Sequence, residues 1–408
     1  MNQRIVITGM GAVTPIGTGV RTYWENLIAG KSGIGPVSRF DTSAMPVKLA
    51  AEVRDFHPEM HMSRRLANDS ALFSRFAYAA AAEAIAQSGI AGSGGAVRTG
   101  IVMGTAMSGV AETAAEQTEC CRSGATRVSP RFVPKILGNI AAAQIAIEYG
   151  FGGPSFTVST ACASGGDAIK LASMLLHAGE ADVMLAVGGE SILCPIVTSS
   201  LSMAKALSRA EDPALACCPF DTKRNGFVMG EGGGALVLET EEHARRRGAK
   251  PYGVILAAAS NNDAYHVTSP APDGHGAVAC MQDALRISGL SPAGVGYINA
   301  HGTSTPVGDG VEIAAIQRVF SGCRPAVSST KAATGHMMGA GGITEVIACV
   351  MACRENLLPA TLHLTDPDAV CAGTDLIAGS ARSCRVEAAM SNAFGFGGQN
   401  SCVIVSGY

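Results

Sequence analysis

Short apolar, β-branched runs recur along the chain at Ile5–Ile7, Gly100–Met103, Ser155–Val158, Asp182–Val187 and Ala235–Leu238. Alanine-rich stretches with helical periodicity lie between several of them, over 73–88, 137–148 and 163–178. Alternation of buried strands with helices of this length predicts a layered α/β fold around a largely parallel sheet. After the charged segment from Glu239 to Lys250 the pattern begins again. Strands are expected at 252–259, 295–300, 326–329 and 402–406, and helices at 276–288, 309–320 and 339–354. The second part reads as a shorter copy of the first. This predicts two pseudo-symmetric βαβ-rich halves, residues 1–248 and 249–408, packed as one body with any site in the crevice between them.

Composition narrows the class. Hydrophobic residues make up 47% of the 408 positions, charged residues 15%, and glycines number 50. That balance excludes a disordered chain and a charge-rich helical bundle, and the length suffices for a sizeable core. The formal charge is −3 and the longest basic run is Arg245–Arg247, which gives nucleic acid little to hold. No window approaches the ~18 uninterrupted apolar residues of a membrane span, and the chain opens on Arg4–Ile7 in place of a signal peptide. A cytoplasmic protein with neither a nucleic-acid nor a membrane partner is expected.

The 13 cysteines include the adjacent pairs Cys120–Cys121 and Cys217–Cys218 and lack the spaced framework of a secreted disulfide fold. Cys349 and Cys353 stand at helical spacing on an apolar stripe, which predicts core packing, and no metal site is read from cysteine or from the scattered histidines. Two glycine-rich segments fail as nucleotide loops. Gly9-Met10-Gly11 has Thr14 at the third glycine position, and Gly30-Lys31-Ser32 has Glu25 where the first glycine belongs. Both are expected to be tight turns.

Chemistry concentrates in four segments. In Ser155–Gly166 a β-rich run ends at Cys162, and small residues then open a helix. A cysteine at such an elbow faces unpaired backbone N–H groups and the helix dipole, which favour the thiolate of a nucleophile. Ala161, Ala163, Gly165 and Gly166 are read as clearing space around it. His301 and His336 each follow a strand in a glycine-bearing loop, where α/β proteins gather their reactive groups. The fourth segment, Ser391–Asn400, surrounds Phe394 and Phe396 with glycines and taken alone reads as a turn before the last strand.

Together, the Cys162 elbow, His301-Gly-Thr-Ser-Thr-Pro, Lys331-x-x-Thr-Gly-His336 and Asn392-x-Phe-Gly-Phe-Gly-Gly-x-Asn400 closely resemble the β-ketoacyl-[acyl carrier protein] synthases of the thiolase superfamily, in the order of the elongating branch. Ile5–Gly11, Pro219-Phe-Asp, Gly226–Gly232 and Asp263–Pro270 look like segments of the same family, so the likeness spans nearly the whole chain. The resemblance implies a thiolase-like five-layered αβαβα fold, a homodimer and decarboxylative condensation of a cysteine-bound acyl chain with malonyl-carrier. No cofactor is implied beyond the 4'-phosphopantetheine on the carrier. It assigns Cys162 as nucleophile, His301 and His336 as hydrogen-bond donors to the enolate, and Lys331, paired with Glu345, as their support. The backbone of Phe396 shares the oxyanion hole with that of Cys162 while Gly395, Gly397 and Gly398 let the phenyl gate swing. Asn400 completes that motif. Thr303, Thr305 and Thr268 are matched to pantetheine and substrate contacts. Met107 and Leu201 are matched to the acyl pocket, with Val133 reaching it from a dimer partner.

Arg64, Arg65, Lys205 and Arg209 are matched to the carrier-binding patch, but Asn68 and Asp69 replace basic residues there, and Gln399 stands where threonine is usual. An exposed Asp69 would repel an acidic carrier, which leaves open a polyketide-type ketosynthase with a dedicated carrier. A coenzyme A-dependent thiolase would need a second cysteine in the C-terminal glycine loop, and none occurs before Cys402.

Overall fold

The computed structural model describes residues 3–92 and 98–408. Strands of the first half are β1 (Ile5–Thr14), β2 (Thr99–Gly104), β3 (Ser155–Val158), β4 (Val183–Glu190) and β5 (Gly232–Thr240). The second half supplies β6 (Gly253–Asn262), β7 (Tyr297–Asn299), β8 (Ala326–Ser328), β9 (Ala388–Gly395) and β10 (Gln399–Gly407). They lie in the order β3-β2-β4-β5-β1 and β8-β7-β9-β10-β6, so each half arranges these five principal strands in the same way, with the short strands Gly17–Thr18 and Asp375–Leu376 added to the same sheet. The halves join where Ile5–Ile7 pair antiparallel with Gly253–Ile255.

The sheet is mixed, and the expectation of a largely parallel one is corrected. In each half the second, third and fourth strands run parallel, whereas the fourth, fifth and first are antiparallel neighbours. Connection length explains the difference. Parallel neighbours need a long crossover, supplied here by helices, but β9 reaches β10 through the turn Phe396–Gly398, which only an antiparallel pair can use. Most of the segment read as a turn, up to Gly395, is thus strand. Its Ala-Ala-Met-Ser-Asn-Ala core carries no β-branched residue to announce it.

Six helices build the layers: α1 (Leu72–Ser88), α2 (Ile140–Tyr149), α3 (Ser164–His177), α4 (His275–Ser288), α5 (Pro306–Val319) and α6 (Gly341–Glu355). α1 packs on β1, β5 and β4 while α2 packs on β2, and α4 packs on β6 and β10 with α5 beside it. α3 and α6 lie between the half-sheets, α3 touching β2, β4 and β6, and α6 touching β9, β10 and β5. The result is five layers, αβαβα. A helix enclosed by two sheets must be apolar nearly all round, and α6 is buried from Gly341 to Val350 without a break. Cys349 and Cys353 lie in that buried helix, as their spacing predicts.

Glycines set the closeness of these layers. Gly9 and Gly11 are inside β1, not in a turn, and a Cβ on Gly11 would sit 1.9 Å from the Ala80 carbonyl oxygen of α1. The space expected around Cys162 is likewise filled. A Cβ on Gly165 would lie 2.8 Å from the Gly339 carbonyl oxygen and 3.0 Å from Ile343 N, and one on Gly166 2.3 Å from Ser401 Oγ. Gly165 and Gly166 therefore let α3 press against the start of α6 and against β10. Gly165→Ala should destabilise the protein by about 1–3 kcal/mol through overpacking. Urea denaturation checks this, and a wild-type midpoint for the variant would refute it.

Candidate active site

β3 ends at Val158, Ala161 takes the left-handed φ of +50°, and the 3₁₀ turn Ala161–Ala163 runs directly into α3. This is the predicted elbow. Ser164 holds it, accepting from Thr160 N–H at 2.9 Å and donating to the Ala161 carbonyl at 2.7 Å. Strain at Ala161 persists because the surrounding bonds fix it.

His336 arrives from the other half. Its backbone N–H donates to the Val228 carbonyl at 2.7 Å, and its Nε2 lies 3.0 Å from the Cys162 sulfur. The His301 ring stands edge-on to that of His336 with centroids 5.3 Å apart. The sulfur and one ring nitrogen of each histidine lie within 4.8 Å of one another. The structure thus gathers the three residues singled out in the sequence.

Burial decides their charge states. Burial pushes the Cys162 thiol up to about 12, against the pull of Lys331 and of a hydrogen bond from Phe396 N–H. Burial, with Lys331 close by, holds both imidazoles well below the usual histidine range. Burial thus works against the dipole-stabilised thiolate expected from the sequence and favours a neutral thiol beside two neutral rings.

The supporting residues fall around this centre. Lys331 Nζ donates to Glu345 Oε1 at 2.5 Å, with both side chains almost fully buried. Thr303 and Thr305 share a hydroxyl contact of 3.1 Å in the loop that carries His301. Gly395 brings the next backbone unit beside Cys162, since a Cβ there would lie 3.1 Å from Cys162 N. The phenyl of Phe396 is 40% exposed. Gly397 and Gly398 take left-handed φ values of 82° and 70°. Asn400 Nδ2 donates to Asn261 Oδ1 and Asp263 Oδ1, at 3.0 and 2.7 Å. Thr268 is exposed, next to Val267, whose carbonyl accepts from Gly397 N–H at 2.6 Å.

Cys162 is also part of an apolar cluster with Ala50, Ile192, Leu193, Leu201, Phe227 and Met338. Leu201 is where the acyl pocket was expected. Met107 is 42% exposed and Val133 58% exposed; neither joins that cluster within this chain. Arg64, Arg65 and Lys205 are exposed, and Arg209 donates to the Ser202 carbonyl at 3.3 Å. Asp69 is not a free charge: Arg131 Nε lies 2.9 Å and Arg65 Nε 4.0 Å from its carboxylate.

Around this centre, three buried carboxylates escaped the sequence reading. Glu312 accepts the backbone N–H groups of His301 and Gly302, each at 2.8 Å, and Asn392 Nδ2 at 3.2 Å. Asp309 accepts Phe220 N–H at 2.9 Å and Thr305 N–H at 3.3 Å, and burial pushes it up to about 7. Asp309 and Glu312 stand three residues apart on a predicted helix directly after the His301 loop, a pattern that points both acids at one loop. Glu190, the third, had no such signal. The surface groove of about 560 Å³ lined by Phe320, Cys323 and Arg324 includes none of these groups.

Comparison with known proteins agrees with this geometry. The chain matches the family models "Beta-ketoacyl synthase, N-terminal domain" over residues 2–244 and "Beta-ketoacyl synthase, C-terminal domain" over residues 252–365. It is 42% identical over 402 residues to a 3-oxoacyl-[acyl-carrier-protein] synthase 2 of Synechocystis, covering 98% of this chain and 96% of the relative. The solved ishigamide ketosynthase/chain length factor is 30% identical with a TM-score of 0.94, each chain covered in full. A type II PKS acyl-carrier protein in complex with its ketosynthase bound to the hexaketide gives 30% and 0.89, again with full coverage. Matched over both halves and through a thiol-imidazole site drawn from each, the chain belongs to the β-ketoacyl synthase family.

Proposed function

We propose that the chain extends a carrier-bound acyl group by two carbons through decarboxylative Claisen condensation with malonyl-[acyl carrier protein], as in fatty-acid elongation. The observation that carries this reading is the 3.0 Å contact of His336 Nε2 with the Cys162 sulfur, beside His301 and at the edge of an apolar cluster. As the sulfur attacks the acyl-pantetheine carbonyl, the thiol proton passes to the departing pantetheine sulfur, the acyl group stays on Cys162, and His336 keeps the Nε2 proton that faces the site. Backbone N–H groups of Cys162 and Phe396 receive the oxyanion.

Malonyl-carrier then binds, and its carbon–carboxylate bond breaks with loss of carbon dioxide. The electron pair passes into an enolate whose oxygen accepts hydrogen bonds from His301 and His336. Neutral imidazoles suit this step, because each keeps an N–H to donate. The enolate carbon attacks the acyl carbonyl, a carbon–carbon bond forms, and the Cys162 sulfur leaves. The pantetheine arrives with its carrier, so this scheme uses no resident cofactor and no metal.

A polyketide-type enzyme with a dedicated carrier would use the same chemistry. Asp69 lies beside Arg131 and Arg65, which offset the repulsion it would otherwise exert on an acidic carrier. Elongation with a housekeeping carrier, docked on Arg64, Arg65, Arg131, Lys205 and Arg209, is therefore the reading we adopt. A homodimer acting in the cytoplasm belongs to it. Among the described residues no helix is long and apolar enough to cross a membrane.

Intact-mass analysis after incubation with acyl-carrier should show an adduct on the wild type and none on Cys162→Ala. A normal adduct on the variant would remove Cys162 from the mechanism. His301→Ala should slow malonyl decarboxylation while leaving acylation near wild type, whereas His336→Ala should slow both, since only His336 touches the sulfur. Equal losses in both steps for both variants would contradict this division. Lys331→Met strands the Glu345 carboxylate in the interior and should cost about 3–5 kcal/mol. Adding Glu345→Leu should recover most of that stability without restoring condensation. Equilibrium denaturation and turnover together check this, and a double variant as unstable as the single one would show that the ion pair is not the cause.

A further inference from the structure

Glu190 closes β4 and is fully buried, yet among the described residues no basic side chain pairs with it. Its four hydrogen-bond donors come from two separate segments. Oε2 accepts Ala106 N–H at 2.6 Å and Gly339 N–H at 3.2 Å, while Oε1 accepts Met107 N–H at 3.1 Å and Thr105 Oγ1 at 3.3 Å. One segment, Thr105–Ser108, follows β2, and its Ala106 packs against the apolar cluster that contains Cys162. The other follows His336, and its Met338 belongs to the same cluster with Sδ 3.8 Å from the Cys162 sulfur. The carboxylate thus clips together two segments that both border the apolar cluster holding the nucleophile.

Backbone strain marks the same place. Ser108 and Met338, one in each segment, hold left-handed φ values of 49° and 46°. Such conformations last only where neighbouring bonds over-determine them. Ser108 N–H donates at 3.1 Å to Thr105 Oγ1, which in turn bonds Glu190. The two segments also touch directly. A Cβ on Gly339 would lie 2.8 Å from Thr105 Cα and 2.9 Å from Glu190 Oε2, so nothing larger than glycine fits between them.

We propose that Glu190 is a positioning residue for acyl-chain selectivity, its carboxylate fixing the spacing between Ala106–Met107 and Met338–Gly339 and hence the room an acyl chain finds in the apolar cluster beside Cys162. This rests on the condensation reading above. A carboxylate suits the task because its two oxygens accept all four donors, whereas a glutamine offers one acceptor oxygen and turns an NH₂ group towards N–H groups. Glu190→Gln keeps the side-chain volume but releases one segment.

The test is competition between a short and a long saturated acyl-[acyl carrier protein] for Cys162, read by intact mass as the ratio of the two adducts. Glu190→Gln should shift the ratio towards the longer chain by about fivefold, the effect of one lost hydrogen bond. Thr105→Val, which removes one donor and spares the carboxylate if Glu190→Gln fails to fold, should shift it in the same direction. A common fall in both acylation rates, with the ratio moved by less than about twofold, would overturn the proposal and leave Glu190 a merely structural acid. Amide hydrogen exchange of folded protein supplies a readout independent of catalysis. In Glu190→Gln the amides of Ala106, Met107 and Gly339 should lose protection together, and unchanged protection at all three overturns the proposal as well. If the wild type forms no acyl-enzyme from any carrier, the condensation reading falls. The exchange measurement still decides whether Glu190 holds the two segments.

Discussion

The site depends on one close approach, that of the two central helices at their N-terminal ends. A Cβ on Gly165 would collide with Gly339, and one on Gly342 would lie 2.8 Å from Gly166 N. Bare backbone on both sides therefore lets α3 and α6 meet without intervening side chains. Cys162 enters just before α3, and His336 shortly before α6, so the helix contact is what brings two halves of the chain within 3.0 Å of each other. Both helices also point their positive ends at this meeting place, a field that favours negative charge there. Burial opposes that field at rest and keeps the thiol protonated. The stabilisation is consequently felt most when an oxyanion or enolate forms, which is where it accelerates a reaction.

The loops around that point are held by acids. Glu190, Asp309 and Glu312 each accept backbone N–H groups in buried or partly buried loops. Such groups must find partners somewhere, and a carboxylate satisfies several at once. Lys331–Glu345 is different in kind, a buried pair whose two charges need each other. Lys331 also acts at a distance, pulling against the burial that raises the thiol and adding to the burial that keeps both imidazoles neutral. One ion pair and three backbone-bound acids thus frame a reaction centre that is itself uncharged.

Much of this could be read in the sequence, for identifiable reasons. Periodicity located the long helices and the β-branched strands because burial on one or two faces leaves a repeat in the residues themselves. The Cys162 elbow and the histidine loops stood out through small residues at a strand end. The strand Ala388–Gly395 did not, since a strand buried between neighbours can be built from Ala, Ser and Asn when space is short. Gly9 and Gly11 look like a turn in sequence, and their purpose is visible only against Ala84 and Ala80 across the layer. Asp69 looked repulsive because its partner Arg131 is remote in sequence. Glu190 was silent for the same reason, all of its donors being backbone or hydroxyl groups of distant segments.

The turn that carries Phe396 and the nucleophile lie against one another, since a Cβ on Gly395 would come within 3.1 Å of Cys162 N. The turn that carries Phe396 joins β9 to β10, so its ends are fixed by a strand pair running through the core. Its middle is tied to a second loop: Gly397 N–H donates to the Val267 carbonyl, Asn262 Nδ2 to the Gly397 carbonyl, and Asp263 N–H to the Gly398 carbonyl. Asn400 anchors that second loop through Asp263. Phe396 N–H meanwhile acts as a hydrogen-bond donor that works to lower the Cys162 thiol. Acylation takes away the thiol's ability to accept that bond as before and presents a carbonyl oxygen instead, a better acceptor for the same N–H. The backbone N–H of Phe396 thus faces a different acceptor before and after acylation, while the strand pair on either side of it is held by the core.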